Sequence, residues 1–347
     1  MMLGRYYIDY KSMLPKAVAG ALVVLLAVIP VITTNMVTLS IFISSGIWAI
    51  AVMGFTLILR TGQFSMGQAA FMAIGGYVSA ILTVKLGIPF WPSFLAAGVF
   101  SGLIALVIGV IVLGSGGIYF SIITIAFGEI VRIVALNWET VTRGATGILT
   151  LPPPPITIRN FEINFATSVV PYYYFMFLLV IMAGLVFWQI DRTRIGGTFR
   201  SVAANPMLSE HLGVHLMKYR VIAFTIAGVF TGLAGAYYVS FLSVITPLMF
   251  DLWKSIQIMM MSIVGGISSI VGGAIVGAFA LYTLGNYLSR LPIFNIQYLL
   301  FGAAVVLVVL FLPKGTGLVD LWGKFWHKVF REPDEYEMPE EADMAVE

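Results

Sequence analysis

Long apolar segments recur along almost the whole chain, and they constrain its fold more than any other feature of the sequence. Each segment is close to the length of about 20 residues that an α-helix needs to cross a bilayer core. Ten such segments lie at about residues 17–34, 39–59, 64–84, 93–113, 117–136, 170–190, 220–241, 254–270, 272–290 and 295–312. Because one soluble core cannot bury so many segments, we predict an all-α, polytopic integral membrane helix bundle with about ten transmembrane helices.

The composition supports a membrane protein and excludes several other classes. Apolar residues make up 60% of the 347 residues and charged residues 10%, against about 45–50% and about 25% in soluble domains. The net charge is only +3, and no cluster of Lys and Arg is interleaved with aromatic residues, so we expect no nucleic-acid partner. The chain contains no cysteine, which excludes disulfides, thiolate metal sites and a cysteine nucleophile.

Motifs for catalysis or for cofactor binding are missing from the sequence. The segment from Gly114 to Gly117 is rich in glycine, but no Lys-Ser/Thr pair follows it to hold phosphate and magnesium. His211 and His215 have the spacing of two ligands on one helix face, but Gly213 lies between them and neither a carboxylate nor a thiol completes a set. We therefore expect no enzyme activity, no cofactor and no metal site in this chain.

The distribution of Lys and Arg predicts the orientation in the membrane. Ten spans place both termini on one side, and that side carries 13 of the 19 basic residues. The opposite side carries five, among them Lys254, and Arg132 falls within a span. Because positively charged loops resist translocation, we predict that both the N-terminus and the C-terminus are cytoplasmic.

Three polar pieces lie outside the predicted spans, and each is too small to be a domain. They are an external loop at 137–168, a cytoplasmic loop at 191–219 and an acidic tail at 331–347. We predict one transmembrane domain over residues 1–330 and a disordered tail, since the tail combines many carboxylates with two prolines. The four prolines at 152–155 form a stiff segment, which either braces the external loop or contacts a protein that delivers substrate.

A short helix is predicted inside the cytoplasmic loop. Asn205 and Pro206 fit an N-cap followed by the first helical position, and Gly213 fits the residue just beyond the C-terminus. The apolar positions between them and next to Gly213 are Met207, Leu208 and Leu212, and the polar positions are Ser209, Glu210 and His211. An isolated helix of about two turns is marginal in water. It is therefore either a connector on the membrane surface or a docking element for a cytoplasmic partner.

Two charged residues, Glu129 and Arg132, fall inside the predicted span 117–136. A charge at the centre of a transmembrane helix costs about 2.5–3.5 kcal/mol on insertion scales, so it is kept only when it is paired or faces water. Their i, i+3 spacing lets the two side chains meet on one helix face. They either form an ion pair that joins helices or line a translocation path.

Neutral polar residues are concentrated at the start of the third segment. Gln63, Ser65 and Gln68 must face protein or water, because lipid cannot satisfy their polar atoms. Together with Gly62 and Gly67 they suit a break in the backbone near a cytoplasmic gate. Hydrogen bonding between helices explains the same residues equally well.

Several motifs resemble one family of transport proteins. The run Arg-Thr-Gly-Gln-Phe-Ser-Met-Gly-Gln-Ala-Ala-Phe at residues 60–71 looks like the Gly-Gln-x-Ser-x-Gly-Gln-Ala-Ala-Phe signature of branched-chain amino acid ABC importer permeases of the LivM type. Further similar stretches lie at 117–121, 126–132, 144–148, 232–236 and 262–277. The resemblance covers about residues 40–312, in the order in which the family has these motifs.

This resemblance implies a function, a location and a set of partners. It implies a permease subunit in the cytoplasmic (inner) membrane that translocates branched-chain amino acids by alternating access, driven by ATP hydrolysis on separate chains. The implied partners are a second permease subunit (LivH-like), two cytoplasmic ATP-binding subunits and an extracytoplasmic substrate-binding protein. Alternatives are a permease of the same class for urea, short amides or sugars, an ion-coupled secondary transporter with an ion site at Glu129, and a passive channel.

The resemblance also assigns roles to individual residues. The loop helix becomes a coupling helix that enters a groove of an ATPase subunit, through Asn205, Pro206, Met207, Leu208, Glu210 and Gly213. Gly213 falls where such permeases keep a glycine after a Glu-Ala-Ala element, although this chain has Met-Leu-Ser at the three corresponding positions. The expected translocation path or gate consists of Gln63, Ser65, Gln68, Glu129 and Arg132.

Overall fold

The computed structural model describes residues 27–33, 35–114, 117–149, 151–154, 156–158, 161–163, 165 and 168–288, together with the helical positions 302, 303, 306 and 310. Its helices are α1 (residues 27–32), α2 (Met36–Leu59), α3 (Gln68–Val84), α4 (Phe90–Val112), α5 (Gly117–Asn137), α6 (Glu139–Thr142), α7 (Val170–Arg192), α8 (Arg194–Ala204), α9 (Pro206–His211), α10 (Leu216–Leu242), α11 (Leu252–Gly265) and α12 (Ile270–Leu288). Its strands are β1 (Ile148–Leu149), β2 (Ile156–Ile158), β3 (Phe161–Ile163) and β4 (Val244–Ile245). They form two small antiparallel sheets, β1 with β4 and β2 with β3.

Six helices in the described part are long and apolar enough to cross a membrane, namely α2, α4, α5, α7, α10 and α12. The prediction of a helical, multi-pass membrane protein is thereby confirmed. The helices α3 and α11 are apolar but shorter, with 17 and 14 residues. The predicted spans 64–84 and 254–270 were therefore too long, because residues 64–67 and 266–269 are not helical. The predicted tail and most of the segments 17–34 and 295–312 lie outside the described residues.

The helix α2 forms the centre of the bundle. It packs against α7, α10, α11 and α12, and large side chains such as Trp48 and Phe55 are almost completely buried along its length. The helix is apolar on all faces rather than amphipathic, which is the pattern of a helix surrounded by other helices.

Small residues allow α10 to approach α3 closely. A Cβ atom placed on Gly75 would collide with the carbonyl oxygen of Gly232, and one placed on Gly235 would collide with that of Met72. The two backbones are therefore in direct contact, as expected where glycine replaces a larger residue at a helix crossing in a membrane.

Contacts between helix ends define two sides of the bundle. Arg60, which follows α2, donates from Nε to the carbonyl oxygen of Ile267 beyond α11 (3.2 Å) and lies 3.6 Å from Asp191 near the end of α7. The ends of α2, α7 and α11 therefore share one side with α8 and α9. We call this the inner side and the opposite one the outer side, following the predicted orientation.

On the outer side, the loop between α5 and α7 is tied to the chain that follows α10. The pairing of β1 with β4 is extended by a hydrogen bond from the Leu151 amide to the Ser243 carbonyl oxygen (3.4 Å). The stiff segment that begins with Pro152 therefore follows a residue, Leu151, that is hydrogen-bonded to the chain after α10. This attachment favours the interpretation in which the prolines brace the external loop.

Candidate functional site

Two breaks interrupt the membrane helices, one from each side of the bundle. The first, residues 60–67, separates α2 from α3 and enters from the inner side; it turns at Gly62, whose φ is +74°. The second, residues 243–251, separates α10 from α11 and enters from the outer side. Asp251 closes it as the N-cap of α11, because its carboxylate accepts from the amide of Lys254 (3.2 Å).

The short helices that follow the two breaks begin next to each other. The amide of Ala69, in the first turn of α3, donates to Oγ of Ser255, in the first turn of α11 (3.0 Å). Gln68, the first residue of α3, accepts a hydrogen bond from Thr231 (2.9 Å). Thr231 lies 15 residues from the start of α10 and 11 from its end, or about 22 and 16 Å along the helix axis. The two N-termini therefore meet near the middle of the membrane.

The polar residues of the first break are buried in protein, as predicted. Gln63, Ser65 and Gln68 are each at most 1% exposed. The break is held against α5, since the amide of Met66 donates to Oγ1 of Thr124 (3.0 Å). The structure contains both a break in the backbone and hydrogen bonding between helices. The backbone is non-helical at 63–67, and Gln68 is hydrogen-bonded to α10.

Some polar atoms in this region are left without a partner. Oε1 of Gln63, Nε2 of Gln68 and Nε1 of Trp48 are buried and form no hydrogen bond with the described part of the chain. Buried polar atoms are rarely left unpaired, so each such atom needs an explanation.

A polar cluster on the inner side joins the first break to α8. Besides its contacts with Ile267 and Asp191, Arg60 donates from Nη2 to the carbonyl oxygen of Ser268. Asp191 in turn accepts from Arg200 of α8 (2.6 Å). The helix α8 also touches the break directly, because a Cβ atom on Gly62 would lie 3.2 Å from Cα of Ala203. Sequence reasoning missed Arg60, whose partners lie more than 130 positions away.

The short helix predicted in the cytoplasmic loop is present as α9. Oδ1 of Asn205 caps it by accepting from the Leu208 amide (3.0 Å), and Pro206 is its first residue. Gly213 follows it with φ +85°, the left-handed conformation that glycine adopts most readily. Three apolar side chains of this segment are largely exposed, at 72% for Met207, 56% for Leu208 and 76% for Leu212.

Behind α9 lies a cavity of about 380 Å³ on the inner side. Glu210 and Gly213 line it together with Arg220 of α10 and Leu113 at the end of α4. Two of the predicted coupling residues, Glu210 and Gly213, thus line a recess between the loop and the membrane helices.

Glu129 and Arg132 pair with each other on α5, as their spacing predicts. Nε of Arg132 donates to both carboxylate oxygens of Glu129 at 3.0 Å. Both residues of this pair belong to α5, so the ion pair itself lies within one helix. The Glu129 side chain is 44% exposed and that of Arg132 23%.

Lys254 was assigned to the outer side from the sequence, and this assignment was wrong. The structure places its ammonium 5.3 Å from the centre of the Trp48 ring. Trp48 lies 12 residues from the start of α2 and 11 from its end, so Lys254 lies beside the middle of that helix. The hydropathy window began at Lys254, so the residue was read as the end of a loop. The available signal was a lysine directly between Trp253 and Ser255, at the start of a mostly apolar run.

Two interrupted helices whose N-termini meet at mid-depth define a polytopic membrane protein of the transporter type. Residues 37–310 match the family described as "Branched-chain amino acid transport system / permease component", and the chain belongs to this family. Since the match includes both breaks, α9 and the α5 ion pair, the site described above lies within the residues that match the family.

Individual relatives agree with this assignment. The chain is 28% identical to the high-affinity branched-chain amino acid transport system permease protein LivM of Salmonella typhimurium and to that of Escherichia coli strain K12, in each case over 273 residues. These matches cover 74% of this chain but only 64% of each LivM protein. The ribose import permease protein RbsC of Haemophilus influenzae is 23% identical over 335 residues, which are 92% of this chain and 97% of RbsC. No solved structure matches the chain.

Proposed function

We propose that this chain is the transmembrane permease subunit of an ABC importer for branched-chain amino acids, located in the cytoplasmic membrane. It works by alternating access, driven by two ATP-binding subunits on the inner side. A second permease and an extracytoplasmic substrate-binding protein complete the assembly. The observation that carries the proposal is that α9 exposes the apolar side chains of Met207 and Leu208 and is joined through α8 to a broken membrane helix, in a chain that belongs to a permease family.

The coupling step is supported by the contacts between α8, α9 and the first break. An ATPase subunit that binds Met207 and Leu208 moves α9, and α8 precedes α9 directly. Movement of α8 reaches the break through the contact of Ala203 with Gly62 and through the Arg200–Asp191–Arg60 cluster. The first break therefore serves as the inner gate, with Gln63, Ser65 and Gln68 as its polar residues.

The translocation path runs along the exposed face of α5 and past the two breaks. The pair formed by Glu129 and Arg132 lies on that face and carries both signs of charge. An amino acid is a zwitterion, so its ammonium and carboxylate groups can each exchange one partner of this pair during passage.

Sugar import is a second candidate function. The RbsC match supports it, because that match extends over nearly the whole of both chains. The two candidates differ in the solute and share the mechanism.

Reconstitution tests the proposal directly. The chain is placed in proteoliposomes with the second permease, the ATP-binding subunits and the binding protein encoded beside it, and uptake of labelled leucine and ribose is measured with and without ATP. We expect uptake of leucine that requires ATP and stops when the ATP-binding subunits are omitted. Accumulation by this chain alone would overturn the proposal, and ATP-dependent uptake of ribose instead of leucine would select the second candidate.

A proline substitution tests the coupling role of α9. Gly213→Pro forces φ from +85° to about −65° and should abolish ATP-driven uptake without preventing membrane insertion. Gly87→Pro is the control, since Gly87 also has a positive φ (+66°) and open space around it but lies in the loop between α3 and α4. If Gly213→Pro takes up solute as fast as Gly87→Pro and as the unchanged chain, α9 is only a connector.

A further inference from the structure

Lys254 is a cation inside the bundle whose charge is only partly compensated, since no carboxylate in the described part of the chain lies within ion-pair distance of it. Within the described residues its ammonium forms neither an ion pair nor a hydrogen bond, and its contact is the face of the Trp48 ring at 5.3 Å. Asp251 lies in the same turn and attracts the ammonium electrostatically, but its carboxylate caps α11 by accepting from the Lys254 amide and forms no ion pair with the Lys254 side chain. Charged residues at this depth are expensive and are typically found on solute or ion pathways.

The groups around this ammonium are also hydrogen-bond donors without acceptors. Trp48 is 2% exposed, and its indole N–H has no partner in the described part of the chain. Gln68 is fully buried, and its amide nitrogen is likewise unpaired. The hydrogen bond from Ala69 to Ser255 holds Gln68 and Lys254 in neighbouring turns. Three unused donors, one of them charged, are thus concentrated in one region.

Two helix N-termini increase the positive potential of the same region. The helices α3 and α11 both begin here, and the N-terminus of a helix carries a partial positive charge, which the capping carboxylate of Asp251 offsets in part at α11. Next to the donors lies an aromatic wall, in which the Trp48 ring packs against Tyr238 and Tyr282 with ring centres 6.2 and 6.4 Å apart. A ligand that suits both features has an anionic group and an apolar part.

We propose that Lys254, Trp48 and the first turns of α3 and α11 form a mid-membrane binding site for the carboxylate of the transported solute. The ammonium and the free N–H groups bind the carboxylate, and the aromatic wall contacts the apolar side chain. The inference rests on the proposed import function and extends it, because it selects a carboxylate-bearing solute over a neutral sugar. It places a solute site within this chain, in addition to the path along α5.

Fluorine NMR of the full chain in nanodiscs can test this site. All seven tryptophans are replaced by 5-fluorotryptophan, and the Trp48 resonance is assigned as the one that disappears in Trp48→Phe. The titrants are leucine, 4-methylpentanoate, which keeps only the carboxylate, 3-methylbutylamine, which keeps only the amine, and ribose. We expect leucine and 4-methylpentanoate to shift the Trp48 resonance in a saturable way, and the amine and ribose to leave it unchanged.

Variants of the lysine separate binding from folding. Lys254→Met should abolish the shift, Lys254→Arg should retain it, and Lys85→Met, on the outer side, should behave like the unchanged protein. The other six tryptophan resonances report whether each variant is folded. The site would be overturned if the carboxylate-dependent shift persisted in Lys254→Met. It would also be overturned if neither leucine nor 4-methylpentanoate shifted the Trp48 resonance.

The reconstituted uptake assay distinguishes this failure from failure of the import function. ATP-driven leucine uptake without a Trp48 response removes the site and leaves the proposed function intact. A Trp48 response to carboxylates without any dependence of uptake on ATP supports the site and overturns the ABC importer. Uptake of ribose alone, with a Trp48 response to ribose, overturns both the amino-acid assignment and the carboxylate site.

Discussion

At the scale of single residues, two threonines of α10 differ in whether their buried hydroxyl has a partner. Thr231 donates to Gln68 at the meeting point of α3 and α11, whereas Oγ1 of Thr225 is buried and unpaired within the described residues. We predict that Thr231→Val destabilises the chain by about 1–2 kcal/mol, because it leaves the Gln68 oxygen without a donor. Thr225→Val should change stability by less than about 0.5 kcal/mol, since it removes a hydroxyl that has no partner.

Unfolding of the two purified variants in the same detergent provides the measurement. Threonine and valine have almost the same shape, so packing changes equally in both variants. An equal loss of stability would show that the Thr231–Gln68 hydrogen bond contributes nothing to the meeting of the two breaks.

Sequence patterns predict the environment of such residues better than they predict their partners. The burial of Gln63, Ser65 and Gln68 follows from the fact that lipid cannot satisfy them, and the Glu129–Arg132 pair follows from helix periodicity. Both arguments are local. The partner of Gln68 lies 163 positions away, and neither periodicity nor hydropathy relates positions that far apart.

At the scale of helices, Arg60 and Arg200 both bind Asp191 but differ in burial. The Arg60 side chain is 13% exposed and also donates to two backbone carbonyls beyond α11, whereas the Arg200 side chain is 47% exposed. We predict that Arg60→Gln lowers ATP-driven uptake at least tenfold and destabilises the chain by about 1.5–3 kcal/mol, because charged hydrogen bonds between three helix ends are lost.

Arg200→Gln serves as the matched control, since exposed ion pairs contribute at most about 1 kcal/mol. Uptake rates and unfolding midpoints of both variants are compared in the same reconstituted complex. If Arg60→Gln transports normally, the contact between the first break and the α11–α12 connection has no part in gating.

The breaks themselves were only partly predictable. The first break shows in the sequence as polar residues between glycines, whereas residues 243–251 of the second fall between the predicted spans 220–241 and 254–270 and carry no pattern that distinguishes a break from an ordinary loop. The structure reveals that the two breaks have the same setting, in which a long helix is followed by a break and then by a short helix. This order occurs in α2–α3 and again in α10–α11, where the break enters from the opposite side. This is the arrangement of an inverted repeat.

At the scale of the whole molecule, α5 is the least enclosed of the six long apolar helices in the part of the chain that the structure describes. Only 17% of its apolar window is buried within the chain, against 94% for α2. The helix α4 also has a broad exposed face, but that face is purely apolar and lipid can cover it. The exposed face of α5 carries Glu129 and Arg132, and charged side chains facing lipid are costly. We therefore predict that another protein surface or water, rather than lipid, covers this face of α5 in the assembled transporter.

Two matched cysteine variants test this difference between the helices. The chain has no cysteine of its own, and Ile130 on α5 and Val99 on α4 are both 59% exposed and both lie 13 residues from the inner end of their helix. A nitroxide attached to Ile130→Cys should lose accessibility to oxygen several-fold when the second permease is added, because protein or water replaces lipid there. The same label on Val99→Cys should remain accessible to oxygen, and an unchanged label at Ile130 would mean that α5 faces lipid in the assembled transporter.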